Sequence, residues 1–130
     1  LWVALSAAPT NVRAARRRFA SWLDELAWPA AERDDILLAV NEALDNVADH
    51  AYPPGLIGRA HLNSWQVVEH SRRHVVAVVT DWGRWKPPPQ EPGYRGRGLL
   101  MMDACTDNVV VQPSRRGTTV ILISAPVPLS

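Results

Sequence analysis

Apolar residues recur at three- and four-residue spacing along the first third of the chain, the pattern of helices that bury one face. Val12, Ala15, Phe19, Trp22, Leu23 and Leu26 form one series, leaving Arg13, Arg16, Arg17 and Asp24 largely on the other side. Thr10 or Asn11 is placed to cap this helix, after a short β-like run at residues 2–5 that stops before Pro9. Trp28-Pro29 breaks it, and a second series, Ile36, Leu37, Val40, Ala43, Leu44, Val47 and Ala51, runs to about residue 51. Beyond Tyr52-Pro53-Pro54-Gly55 the character becomes that of strands. Residues 59–69 and 74–80 read as a hairpin around His70-Ser71-Arg72-Arg73, and the second run is apolar enough to be central in a sheet. Residues 82–98 carry four prolines and four glycines, too irregular for helix or strand and long enough for a functional loop, which we read as a lid. Helical character resumes over 99–105, and two last strands, about 108–112 and 118–124, flank the turn Pro113-Ser114-Arg115-Arg116-Gly117. The order β-α-α-β-β-lid-α-β-β predicts an α+β fold: a two-layer sandwich whose mainly antiparallel sheet carries helices on one face.

At 130 residues the chain has room for one core, so residues 1–130 are expected to form a single domain. Thirteen acidic and fourteen basic residues leave a net charge of +1, which indicates neither a general affinity for nucleic acid phosphates nor an acidic tail. Cys105 is the sole cysteine, so an intrachain disulfide or a cysteine-rich zinc site is excluded and a reducing cytoplasm is the expected compartment. No apolar run approaches the ~20 residues that span a bilayer. The opening stretch has its apolar residues before its arginines, the reverse of a secretory signal. With Leu1 in place of an initiating Met, the chain is compatible with a piece of something longer.

The candidate chemistry is local. Glu42 and Asn46 lie four apart on the second helix and project from nearly the same side; a carboxylate can accept a proton and an amide oxygen is a hard ligand suited to magnesium. A solvated helix edge is the competing reading for that pair. Asp81-Trp82-Gly83 puts a carboxylate where an apolar strand ends, able to accept from the exocyclic N–H of an adenine, or simply to form a turn. Gly93, Gly96 and Gly98 precede the helical run at Leu99, a donor-rich approach where phosphate binds well and Arg95 or Arg97 can add a charged bond. Lys86 is the only lysine and is followed by three prolines, so the Gly-x-x-x-x-Gly-Lys phosphate loop is missing, as are the eukaryotic-type kinase signatures. His50, His61, His70 and His74 lack the spacing of a zinc hydrolase. Among the six tryptophans, Trp2, Trp22, Trp28 and Trp65 fit apolar faces, whereas Trp82 and Trp85 sit in the lid region and can cover a ligand. Arg16-Arg17-Arg18 reads as a solvated helix face.

Taken in order, Glu42-Ala43-Leu44-Asp45-Asn46 with His50-Ala51-Tyr52, Asp81-Trp82-Gly83, Gly96-Arg97-Gly98-Leu99 and Gly117-Thr118-Thr119-Val120 resemble the GHKL ATPase superfamily, and within it the bacterial anti-sigma-factor serine/threonine kinases. The resemblance covers nearly the whole chain. It implies a Bergerat-type sandwich holding ATP and Mg2+ between helices and lid. It makes Glu42 the general base, Asn46 the magnesium ligand, Asp81 the adenine-binding acid with Gly83 beside it, and Gly96, Arg97, Gly98 and Leu99 the phosphate segment. Thr118 matches the hydroxyl supporting adenine recognition. The implied reaction is phosphorylation of an anti-sigma-factor antagonist by a homodimeric cytoplasmic kinase that also binds a sigma factor, with no direct nucleic acid or membrane contact. The alternative is a non-catalytic nucleotide-binding module that sequesters a partner, against which the presence of Glu42 argues. The catalytic part of a histidine kinase is less attractive, because the chain lacks a phosphoacceptor helix pair.

Overall fold

The structure is a computed structural model that describes every residue except 54, 55, 57, 84–91 and 130, together with the backbone alone at 50 and 92–97. The strand β1 (Trp2–Ser6) leads into the helices α1 (Pro9–Glu25) and α2 (Ala30–Asn46), and α2 continues into a π-helical turn, Val47–Ala51. Then come β2 (Arg59–Glu69), β3 (Arg72–Asp81), α3 (Pro92–Ala104), β4 (Asn108–Ser114), β5 (Gly117–Ile123) and β6 (Val127–Pro128). The sheet order is β1-β2-β3-β5-β4, with β6 added beside β3, and every pairing is antiparallel. The sequence-based order of helices and strands is therefore observed, with β3 at the centre, and β6 is the strand it lacked.

Alternation along the strands sorts their side chains. Val3, Leu62, Ala77, Val79 and Leu122 face the helices and are buried. Phe19 and Leu23 of α1 and Ile36, Val40 and Leu44 of α2 complete that core, on the faces that the spacing predicted. Trp28 is buried where α1 turns into α2, and Arg73 of β3 stacks 4.6 Å over its ring. The same guanidinium donates to the carbonyls of Leu26 (2.6 Å) and Ala27 (3.1 Å), so one cation closes the C-terminal end of α1 and ties the helix corner to the sheet.

Several boundaries differ from the sequence reading. The first helix starts at Pro9, with Ala8 extended before it and no side-chain cap, because Pro fits the first helical position, where the missing N–H has no partner to lose. The second helix is α-helical only to Asn46. The β2–β3 turn is two residues, His70 and Ser71, both with positive φ (52° and 63°), the backbone of a hairpin turn that matches strand twist; β3 consequently begins at Arg72. Of the lid region, residues 84–91, including Trp85 and Lys86-Pro87-Pro88-Pro89, lie outside the described residues, but Pro92–Gly98 is part of α3 instead of an irregular approach to a helix at Leu99. Proline at its start again favours this, whereas its three glycines each cost roughly 1 kcal/mol of helix propensity relative to Ala. Trp2 and Trp65 also depart from expectation: alternation sends both to the sheet face away from the helices, where they are 55% and 42% exposed.

Candidate functional site

Two clusters form on the helix side of the sheet, joined by the C-terminal half of α2. The first is at the crossing of α2 and α3. Glu42 and Asn46 are both half-buried, and Gly98 of α3 lies directly against them. A β-carbon at position 98 would stand 3.3 Å from Asn46 Nδ2, 3.7 Å from its Oδ1 and 3.9 Å from Glu42 Oε2. The helix pair thus brings the acid, the amide and one of the predicted phosphate glycines together, at a separation a larger residue would narrow. Burial, and next the neighbouring Asp45, raise the Glu42 carboxyl above its ordinary pKa. Asp45 is itself raised by burial and by Asp49, with Arg16 of α1 opposing.

The second cluster is at the ends of β3 and β5. Asp81 and Thr118 face each other in register and are 6% and 7% exposed. Asp81 Oδ1 accepts from the Gly83 N–H at 3.0 Å, closing a tight turn as the chain leaves β3. Burial raises the Asp81 carboxyl, while hydrogen bonds from the Gly83 and Thr118 backbones pull it partly back. Gly83 presses on the end of the π turn: a β-carbon there would fall 1.9 Å from the Ala51 carbonyl oxygen. Gly117, at φ 141°, occupies backbone space closed to L side chains, and a β-carbon would lie 1.9 Å from the Asp81 carbonyl oxygen. The β3 exit is therefore held between the end of α2 and the start of β5.

Ala51 lies five residues beyond Asn46, an axial rise on the order of 7 Å, so the two clusters adjoin successive turns of α2 and its π extension. Glu42, Asn46 and Gly98 are brought together at the first cluster, and Asp81, Gly83 and Thr118 at the second. Gly96 and Arg97 are in α3, but the direction of the Arg97 side chain lies outside the described residues. Leu99 packs against the hydrophobic core. Trp82 does not cover this face. Its ring meets His61 edge-on at 4.6 Å, and His61 in turn meets Trp2 at 4.4 Å, on the far side of the sheet. The residues missed by sequence reasoning are Gly58, Gly117 and Tyr52. Tyr52 was visible within His-Ala-Tyr, yet nothing in the spacing said that its hydroxyl reaches the Asp81-Trp82-Gly83 turn.

Among the described residues no group of three or more His, Cys, Asp and Glu side chains gathers to hold a metal. Magnesium held mainly by phosphate and water needs only one or two protein oxygens, and Asn46 Oδ1, 3.7 Å from where a β-carbon on Gly98 would stand, is a hard oxygen of the type that would fit it. Among the same residues no helix is long and apolar enough to cross a membrane.

This constellation on an antiparallel sheet defines the class. Residues 5–124 match the family of histidine kinase-like ATPase domains, and the chain belongs to that family. The serine/threonine-protein kinase BtrW of Bordetella bronchiseptica is 31% identical over a 98-residue alignment that covers 62% of this chain and 65% of that protein. The crystal structure of the RsbU and RsbW domains of Rv1364c from Mycobacterium tuberculosis has the same fold, with a TM-score of 0.71 at 23% identity over 98% of this chain and 33% of that one. The chain thus spans about two thirds of the kinase and one third of the solved protein. The family-level resemblance carried by the four motifs is borne out.

Proposed function

We propose that this domain is an ATP-dependent serine/threonine protein kinase that phosphorylates an anti-sigma-factor antagonist and binds a sigma factor in the cytoplasm. The observation that supports the reading is the approach of Gly98 to both Asn46 and Glu42, which leaves a side-chain amide and a carboxylate beside the backbone of α3. Asp81 accepts from the exocyclic amine of the adenine, with Thr118 beside it and Gly83 letting the base approach. Gly96, Arg97 and Gly98, with Leu99 anchoring the segment to the core, hold the phosphates. Glu42, its pKa raised by burial and by Asp45, takes the proton from the substrate hydroxyl as that oxygen bonds to the γ-phosphorus and ADP leaves. Magnesium, when bound through Asn46 and the phosphate oxygens, supplies charge neutralisation at the phosphates.

The kinship with BtrW supports protein phosphorylation. The test is transfer from labelled ATP to a cognate antagonist: transfer abolished by Glu42→Ala with nucleotide binding retained supports the kinase. Binding without transfer by the parent protein supports a sequestering module instead.

The partner surface we infer for homodimerisation is the sheet face away from the helices. Trp65, Val78, Val110, Ile121 and Ile123 project there by strand alternation, with Trp65 42% exposed. Five strands ~4.8 Å apart and about 25 Å long present on the order of 600 Å2, close to the ~800 Å2 that each partner of a stable dimer buries. No charge interrupts that centre, so a second copy meets it without like-charge repulsion. Light scattering should give a dimer for the parent and a monomer for Val78→Lys; an unchanged dimer excludes this face.

A further inference from the structure

The hydroxyl of Tyr52 joins three segments that are separate in the chain. It donates to the carbonyl of Arg59 at the start of β2 and accepts from the Trp82 N–H at 3.1 Å, just past β3, so its single hydrogen and a lone pair are both engaged. The ring is held from below. A β-carbon on residue 58 would fall 1.9 Å from Tyr52 Cζ and 2.0 Å from Cε1, so the aromatic ring packs directly against Gly58 in space that any side chain there would need.

The Trp82 N–H belongs to the peptide between Asp81 and Trp82; the next N–H, of Gly83, is the one that binds Asp81 Oδ1. Rotation of the first peptide would carry the second with it and redirect the carboxylate. Contacts with Ala51 and Gly117 limit how far this turn can travel, and Asp81 itself is paired with Ala60 and Thr118 in the sheet, so the peptide that follows Asp81 is where the turn can still rotate. Among the described residues, the Tyr52 hydroxyl supplies the side-chain hydrogen bond to the N–H of that first peptide.

We propose that Tyr52 is a specificity-determining positioning residue, whose hydroxyl fixes the Asp81–Gly83 turn so that the Asp81 carboxylate reads the exocyclic amine of the nucleotide base. This rests on the reading of Asp81 as the base-binding acid. A Phe at this position keeps the ring but loses both hydrogen bonds, and Gly58→Ala keeps the hydroxyl but displaces the ring that carries it.

The experiment compares the affinities of the magnesium complexes of ATP and of purine riboside triphosphate, which lacks the exocyclic amine, for the parent, Tyr52→Phe, Gly58→Ala, Asp81→Asn and the Tyr52→Phe/Asp81→Asn double variant. The parent should prefer ATP by about 10-fold or more, as for a hydrogen bond to a charged group. Tyr52→Phe and Gly58→Ala should lose most of that preference while binding the purine analogue within twofold of the parent. In the Asp81→Asn background, Tyr52→Phe should have no further effect on ATP. A parent with no preference removes the reading of Asp81, and the proposal with it. A parent that prefers ATP, with Tyr52→Phe equally selective, overturns the role of Tyr52 alone. Equal weakening of both nucleotides by Tyr52→Phe also overturns it, because that is the result of a merely structural contact.

Discussion

Replacing Asp81 with Asn separates the binding role of this side chain from its structural one. In the fold its carboxylate is nearly sealed from water and takes the Gly83 N–H on Oδ1 and backbone donation from Thr118. A carboxylate accepts at both oxygens; an amide accepts at one and donates from the other. Keeping the amide oxygen on Gly83 therefore turns an NH2 group toward the nucleotide amine, donor against donor. Losing a hydrogen bond to a charged acceptor costs about 1.5–3 kcal/mol, which corresponds to roughly a 10- to 150-fold rise in the Kd for ATP. Stability should change in its pH dependence. Because burial raises the Asp81 pKa, the native state binds a proton at this site more tightly than the unfolded chain does. Ionisation thus lowers stability as pH rises from the unfolded value through the raised folded one, and that loss persists at neutral pH. Asp81→Asn removes the charge, so the loss of Tm that this group causes between acidic and neutral pH should be absent from the variant. Calorimetric titration with Mg-ATP and thermal melts of the same proteins from acidic to neutral pH read both quantities. An affinity within twofold of the parent would refute the role given to Asp81, and the same pH dependence of Tm in both proteins would refute the electrostatic argument.

The same physics gives three further outcomes. With Glu42 as the proposed base, transfer would need its carboxylate ionised, and because burial and Asp45 raise its pKa, kcat should fall on acidification at a higher pH than for an ordinary carboxylate; Asp45→Asn should shift that fall to lower pH, and an unmoved profile counts against Glu42 as base. Chelation of divalent cations should weaken ATP binding at least about 10-fold, because Glu42, Asp45 and Asp49 otherwise leave a negative helix edge beside the phosphates; equal affinity in EDTA contradicts this. Arg73→Ala removes two bonds to the end of α1 and the stacking on Trp28, about 2–3 kcal/mol together, and should lower Tm by roughly 6–15 °C, with Arg73→Lys recovering less than half.

The elements that sequence reveals best here are those whose periodicity expresses burial. Phe19, Leu23, Ile36 and Leu44 mark helix faces because one side of each helix meets the sheet, and the apolar run of β3 marks a strand flanked by partners on both edges. Glu42 and Asn46 were legible for a related reason, since helical spacing alone puts them on one side. Contacts between segments distant in sequence were not legible. That Gly83 must clear the Ala51 carbonyl, that Gly117 backs onto Asp81, and that Tyr52 holds Trp82 depend on how the end of α2 meets the sheet. The glycines of α3 misled in the opposite direction: low propensity suggested an irregular approach, whereas Pro92 opens the helix six residues before Gly98. Trp2 and Trp65 were assigned by hydrophobicity to apolar faces, yet a two-layer fold leaves one sheet face without helices, and alternation sends them to it.

A crystal structure with a non-hydrolysable ATP analogue and magnesium is the most direct test of the claim that α2, α3 and the β3–β5 ends build one nucleotide site. The account requires the base amine on the Asp81 carboxylate and the phosphates between Asn46 and Gly98 in the same bound molecule. A nucleotide seated elsewhere, or one that touches only one of the two clusters, would contradict it.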